Sequence, residues 1–322
     1  MRRREFITLL GGVAAAIRAP AVRAQGNRVR RVAALMLAAS TAQDRMAVLR
    51  EELQKLGWTE GRNLRLDVRI PDDAAALRVA ADEVVKSAPE VIFTVSGTAT
   101  RVIQTLTGTV PIVFDGGGDA TGLVSNVAKP EGNTTGFANI FPTLGGKYLE
   151  LLKEAAPRVT RVAIVFDANR LMAWGSGVIA SVESARTTLG TTTVRAPFRN
   201  SAEIESAVEA FAAEPNGALV QLGPIPGPAE FATIQRLALK HRLPLAYQFT
   251  GEGVLISYAA DPSDLVRGAA SYIDRILRGA KPSELPVQYP TRFRLVVNLK
   301  VAKAIGLIIP DAFRLRADEV IE

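Results

Sequence analysis

The chain passes twice through the same order of strand-like and helix-like segments, about 130 residues apart. Short runs of Val, Ile, Leu and Phe alternate with longer amphipathic stretches, the pattern of βα units that build parallel sheets. The first set reads strand 32–37, helix 44–56, strand 64–70, helix 74–86, strand 91–95, helix 98–106 and strand 110–114. The second reads strand 162–166, helix 176–189, strand 192–196, helix 202–213, strand 218–222, helix 229–241 and strand 243–247. Boundary residues keep step. Arg31-Val32-Ala33 returns as Arg161-Val162-Ala163 after 130 residues, Leu56-Gly57 as Leu189-Gly190 after 133, Pro89 as Pro215 after 126, and Val110-Pro111 as Leu243-Pro244 after 133. Solenoids repeat every 20–50 residues or so, so a period this long predicts two similar lobes.

Extended pieces at 135–140 and 254–258 are each followed by a helix-start signal, and a third lies at 291–297. They read as hinge crossings. The expected architecture is α/β: two similar three-layer lobes with mainly parallel sheets joined by these crossings. Lobe 1 is expected over 28–139 plus 257–287, and lobe 2 over 140–256 plus 288–322. Open α/β sheets bind ligands at the carboxyl ends of their strands, so the lobes should face each other across a ligand cleft.

The N-terminus constrains the compartment. Arg2-Arg3-Arg4 precede an apolar run from Leu9 to Ile17 and then Ala21-Val22-Arg23-Ala24, the three parts of a secretory signal. Arg3-Arg4 followed by Phe6-Ile7 resembles the twin-arginine export signal, with Arg2 and Thr8 as departures from its usual pattern. Cleavage is expected after Ala24, giving a periplasmic protein. The leader also carries much of the basic charge. Residues 1–24 hold five Arg and one Glu, so the net +7 of the chain falls to +3, from 34 basic and 31 acidic residues. No basic stripe remains to favour nucleic acid. With no cysteine and one histidine, thiolate and His-based metal sites and a Cys nucleophile are excluded. His241 stands at a helix end, where a solvated or capping role suits it. Gly175-Ser176-Gly177 lacks the spacing of a nucleophile elbow.

A set of segments carries a family likeness. They are VIFTVSGT at 91–98, Pro111–Phe114 with Gly118-Asp119, and Gly122-Leu123-Val124 with PEGNTTG at 130–136. Further on come His241-Arg242-Leu243-Pro244, DRILRGAK at 274–281, FRLVVNLKVAKAIG at 293–306 and RADEVI at 316–321. Together they resemble the periplasmic substrate-binding proteins of ABC transporters with a type I two-lobe fold, in the branch related to tryptophan and tyrosine binders. The resemblance implies a non-enzymatic, cofactor-free receptor, expected to be monomeric. Such a receptor closes on a small-molecule solute, an amino acid or related carboxylate, and docks on membrane permease subunits. The alternatives are a ligand-sensing domain for a signalling partner and, further off, a hydrolase.

Candidate ligand residues follow from strand ends. Ser96-Gly97-Thr98 opens a helix, whose unpaired N–H groups and positive dipole end suit an anion. Ser40 and Thr41 occupy the equivalent place one unit earlier. Asp115 and Asp119 flank three glycines after the strand at 110–114, a spacing that is no P-loop. Asn139 lies on the first crossing. On the second lobe, Asp167 and Asn169 suit a polar ligand group, Tyr247 and Phe249 suit an apolar body, and Gly223 begins a Pro-rich strand end.

Overall fold

The computed structural model describes residues 28–37, 39–118, 120, 122–170, 173–223 and 227–322, with the backbone alone at 39–41, 173 and 174. The leader read at 1–24 lies outside them. The chain begins with β1 (Arg30–Met36), α1 (Ala39–Lys55), β2 (Leu64–Arg69), α2 (Ala74–Lys86), β3 (Val91–Val95), α3 (Gly97–Leu106), β4 (Ile112–Asp115) and β5 (Thr134–Phe137). Their strands form a parallel sheet in the order β2-β1-β3-β4-β5. Next come α4 (Leu144–Ala155), β6 (Arg161–Asp167), α5 (Ala173–Ala185), β7 (Thr192–Phe198), α6 (Ser201–Ala212), β8 (Gly217–Leu222), α7 (Pro228–Lys240) and β9 (Leu245–Tyr247). The remainder is β10 (Ile256–Ala260), α8 (Pro262–Leu277), β11 (Phe293–Asn298), α9 (Leu299–Ala304), α10 (Asp311–Arg314) and β12 (Glu319–Ile321). The second sheet runs β12-β11-β10-β9-β8-β6-β7, so the β7-β6-β8-β9 portion repeats the β2-β1-β3-β4 order of the first.

Burial on both faces explains the apolar runs. Val32, Ala34 and Met36 of β1 pack with residues of α1 and α8, while Ala33 and Leu35 pack with α2 and α3 on the other face. In β6, Val162, Ile164 and Phe166 meet α4 and α5, and Ala163 and Val165 meet α6 and α7. A strand covered by helices on both sides needs no polar alternation. The helices α4 and α5 approach through Gly145, where a Cβ would stand 2.1 Å from the Val178 carbonyl oxygen.

The extended pieces read as crossings are strands in their own right, because their backbone groups pair with neighbouring strands of the sheets. β5 closes the first sheet, and β10 joins the second between β9 and its antiparallel partner β11. The chain then leaves each sheet: after β5 into α4, after β10 into α8, and after the turn Pro282–Glu284 back into β11. Phe137 and Gln288 form a parallel bridge beside the last passage. Two helix limits shift by four or more residues from the sequence reading. α1 starts at Ala39 rather than 44, since buried Ala42 extends the Met46-Leu49-Leu53 stripe upstream. α5 ends at Ala185 rather than 189, and Thr187 and Thr188, poor helix formers, sit in a turn.

Candidate functional site

The parallel strands of both sheets end toward the cleft, and the loops leaving them bring the polar residues. On the first lobe, Asp115 closes β4 with no exposed surface. Its Oδ2 accepts from Nη1 of Arg45 on α1, whose side chain is 19% exposed. Oδ1 of Asp115 and Nε of Arg45 are buried without hydrogen-bond partners. Burial pushes the Asp115 carboxyl above its ordinary pKa, and the charge and hydrogen bond of Arg45 pull against that rise.

After Asp115, Gly116, Gly117 and Gly118 all take positive φ, of 94°, 85° and 80°. Residues with a Cβ avoid this region, so three successive glycines let the loop fold back over the start of α3. A Cβ on Gly97 would meet the Gly117 Cα at 3.1 Å. Asn139 ties the loop down: its Oδ1 accepts from Gly118 N at 2.9 Å and its N–H donates to Gly118 O at 3.1 Å. Ser96 caps α3, its Oγ accepting from Ala99 N at 3.3 Å. Its backbone sits at φ 94°, ψ 146°, ground that is all but reserved for glycine. Bonds from Ser96 N to Asp115 O and from Thr100 N and Oγ1 to Ser96 O hold it there.

On the second lobe, Tyr247 ends β9 fully buried between Phe231 and Phe249, at ring separations of 5.5 and 5.3 Å. Burial raises its phenol pKa. Gln248 donates from Nε2 to Gly223 O at 2.8 Å and accepts Ser257 Oγ on its backbone oxygen, bracing the ends of β8, β9 and β10. Gly223 takes φ 100°. Gln221 is 1% exposed, and neither end of its amide has a partner. Asp167 ends β6 and folds onto its own loop, Oδ1 accepting from Asn169 N at 2.9 Å.

A pocket of about 240 Å³ joins these walls. Arg45 and Asn139 line it from the first lobe, Gln248, Phe249 and Thr250 from the second, and Ser257 and Asp261 from the crossing at β10. Arg294 also lines it, but its guanidinium is held by Glu319 at 2.8 Å. A larger groove of about 550 Å³ lies at the opposite strand ends of the second lobe, beside His241, Arg242 and Asn216. Size favours the groove, but topology favours the cleft. His241 caps the C-terminus of α7, its N–H donating to Leu237 O.

The candidates drawn from sequence therefore separate. Asn139 and Phe249 line the 240 Å³ pocket. Gly223 sits behind it as the acceptor of Gln248. Asp115 and Tyr247 are enclosed, touching Arg45 and aromatic rings rather than the open cleft. Ser96 and Gly97 are engaged in capping and packing, while Thr98 and Asn169 are exposed. Ser40 and Thr41 lie in the first turn of α1, with side chains outside the described residues, as is Asp119. Arg45, Gln221, Gln248 and Asp261 were missed. Arg45 had a signal: a cation three residues after Ala42 and four before Leu49 falls on the buried stripe of its helix.

Two similar α/β lobes around a polar pocket at their strand ends define a two-lobe solute receptor. A family model described as ABC transporter substrate binding protein matches residues 34–321. The chain belongs to that family. The ABC domain from Streptococcus pneumonia in complex with L-Trp is similar at 20% identity and a TM-score of 0.77, covering 91% of this chain and 100% of that one. A conserved domain protein from Vibrio cholerae reaches 25% identity and 0.77 over the same shares. A ligand-free, open substrate-binding protein with adhesive properties from Clostridium difficile reaches 20% and 0.74, over 91% and 99%. These neighbours share the type I periplasmic binding fold. No curated protein sequence matches the chain. This chain is thus the solute-binding component of an ABC transport system.

Proposed function

We propose that this protein captures an amino acid, or a closely related carboxylate, between its lobes outside the cytoplasm and hands it to membrane permease subunits. The observation that carries the reading is the pocket itself. It is walled by both lobes, and at about 240 Å³ it lies below the range of roughly 300 Å³ and upward typical of drug-sized ligands. With Arg294 held by Glu319, one guanidinium, Arg45, and one carboxylate, Asp261, remain to line it together. A small zwitterion matches that pairing of charges. Asn139, Gln248 and Thr250 add neutral hydrogen-bonding groups, and Phe249, 40% exposed, offers an aromatic face.

Binding on one lobe followed by contacts from the other favours a closed form by differential affinity, with the crossings near β5, β10 and β11 as hinges. The similar L-Trp complex supports an amino-acid solute. The Arg-rich leader supports export by the twin-arginine route with cleavage after Ala24 to a periplasmic protein, which we take to act as a monomer. No described helix is long and apolar enough to cross a membrane. Native mass spectrometry of protein purified from its own host should recover an unmodified amino-acid-sized solute. Recovery of a chemically altered product would replace the receptor with an enzyme. Small-angle scattering should show compaction on adding that solute, and an unchanged radius of gyration under saturation would sink the hinge.

A further inference from the structure

The geometry points to Arg45 as the group that takes the carboxylate of the solute, with Asp115 as the positioning residue behind it; this rests on the capture reading above. Arg45 leaves α1 on the stripe that carries Ala42, Met46 and Leu49, so its side chain runs inward to the cleft instead of out to water. Asp115 occupies Nη1 alone, while Nε is buried and unpartnered. A guanidinium has five N–H donors in a planar fork, and buried donors left unpaired are costly. A carboxylate accepts two of them side by side, the geometry Arg favours over Lys.

The competing anion sites are already spent. Ser96 Oγ accepts from the α3 backbone, and Gly97 lies against Gly117, so the start of α3 serves the helix and the loop. Arg294, the other guanidinium of the pocket, is held by Glu319. Asp115, with no exposed surface, cannot meet a solute in open water but fixes the Arg45 fork in place.

The test uses titration calorimetry with L-tryptophan, L-tyrosine, L-phenylalanine and L-leucine and with their primary amides, which differ only in the charged head. An acid that binds the wild type should bind its amide far more weakly. Arg45→Gln should weaken the acid about 30- to 100-fold while leaving the amide within about threefold. Arg45→Lys should restore part of the loss, because the charge returns without the fork. Arg45→Gln alone leaves Asp115 unpaired in the core, so the double variant Arg45→Gln/Asp115→Asn guards against simple misfolding. It should melt like the wild type and still lose the acid. Equal binding of acid and amide by the wild type, or an acid affinity unmoved in either variant, overturns the assignment. Silence of all four acids overturns it too. In that event D-ribose or D-glucose raising the melting temperature keeps solute capture, and silence of the sugars as well removes both readings.

Discussion

The two lobes carry one topology and two different cleft walls. In each, the central strand has neighbours in the same order, β2-β1-β3-β4 and β7-β6-β8-β9. At matching places after the Pro that opens the fourth strand stand Asp115 and Gln248, 133 residues apart. The first is a buried carboxylate bound to a guanidinium, and the second an amide that donates to a backbone oxygen. The start of α3 at Gly97 has its counterpart in Gly223. Around the first, loop glycines fold over the helix, and around the second, Gln248 braces the strand end. Lobe 1 thus presents charge, and lobe 2 presents amides and rings. A shared frame fixes where the strands end, while single side chains at those ends decide what they can grip.

The largest expected effect lies in how lobe 2 packs. Gly145→Ala drives a methyl into the Val178 carbonyl, 2.1 Å away, and should cost about 3 kcal/mol, seen as a lower urea midpoint. Hydrogen exchange should localise the loss to α4, α5 and the second sheet. Uniform loss across both lobes would show that they unfold as one unit.

Next in size is the contrast between the paired walls. Asp115→Ala strands a partly buried guanidinium and should cost about 2 kcal/mol, discounted for the residual exposure of Arg45. Gln248→Leu loses one neutral hydrogen bond and should cost about 1 kcal/mol. Equal costs in denaturant melts would erase the electrostatic difference between the walls.

Ser96→Gly should gain about 1 kcal/mol, since glycine relieves φ 94° and a glycine cap gives up only a few tenths. A loss instead would mean that the hydroxyl matters more than the strain.

The mildest effects come from pH, and they separate the lobes again. Burial raises the Asp115 carboxyl pKa in lobe 1, so the stability it contributes is present at acid pH and falls as pH rises through its folded value. In lobe 2, burial raises the phenols of Tyr148, Tyr247 and Tyr258 above their ordinary value of 10.0. Unfolded phenols ionise first, so stability held below that value is lost as pH climbs past it. Asp115→Asn should steepen the acid limb of a melting-temperature profile, because the wild-type carboxyl gains stability as pH falls and offsets losses elsewhere, and Tyr148→Phe should flatten the alkaline limb. If either variant left its limb unchanged, the titrating group would lie elsewhere.

Much of the frame was legible in the chain. Short, mostly apolar runs such as Val91–Val95, bounded by turn residues, fit strands covered on both faces, and the returning Pro and Gly markers announced the duplication. The candidate site was legible by place more than by residue. Strand ends pointed to Asn139 and Phe249, which line the pocket, and equally to Asp115 and Tyr247, which are enclosed. Position along a strand says which edge a residue reaches, not whether a neighbouring helix covers it. Arg45 was overlooked because its partner lies 70 residues away on another element.

The sequence by itself determined two parallel α/β lobes and the alternation of strands and helices within each, because periodicity and turn residues act locally. Only the tertiary structure decided that a cation on the stripe of α1 would meet a carboxylate at the end of β4. It also decided that three glycines would close over α3, and that β10 and β11 would join the second sheet rather than merely link the lobes. Those outcomes depend on which elements pack against one another, and burial, charge pairing and free hydrogen-bonding capacity are properties of that packing.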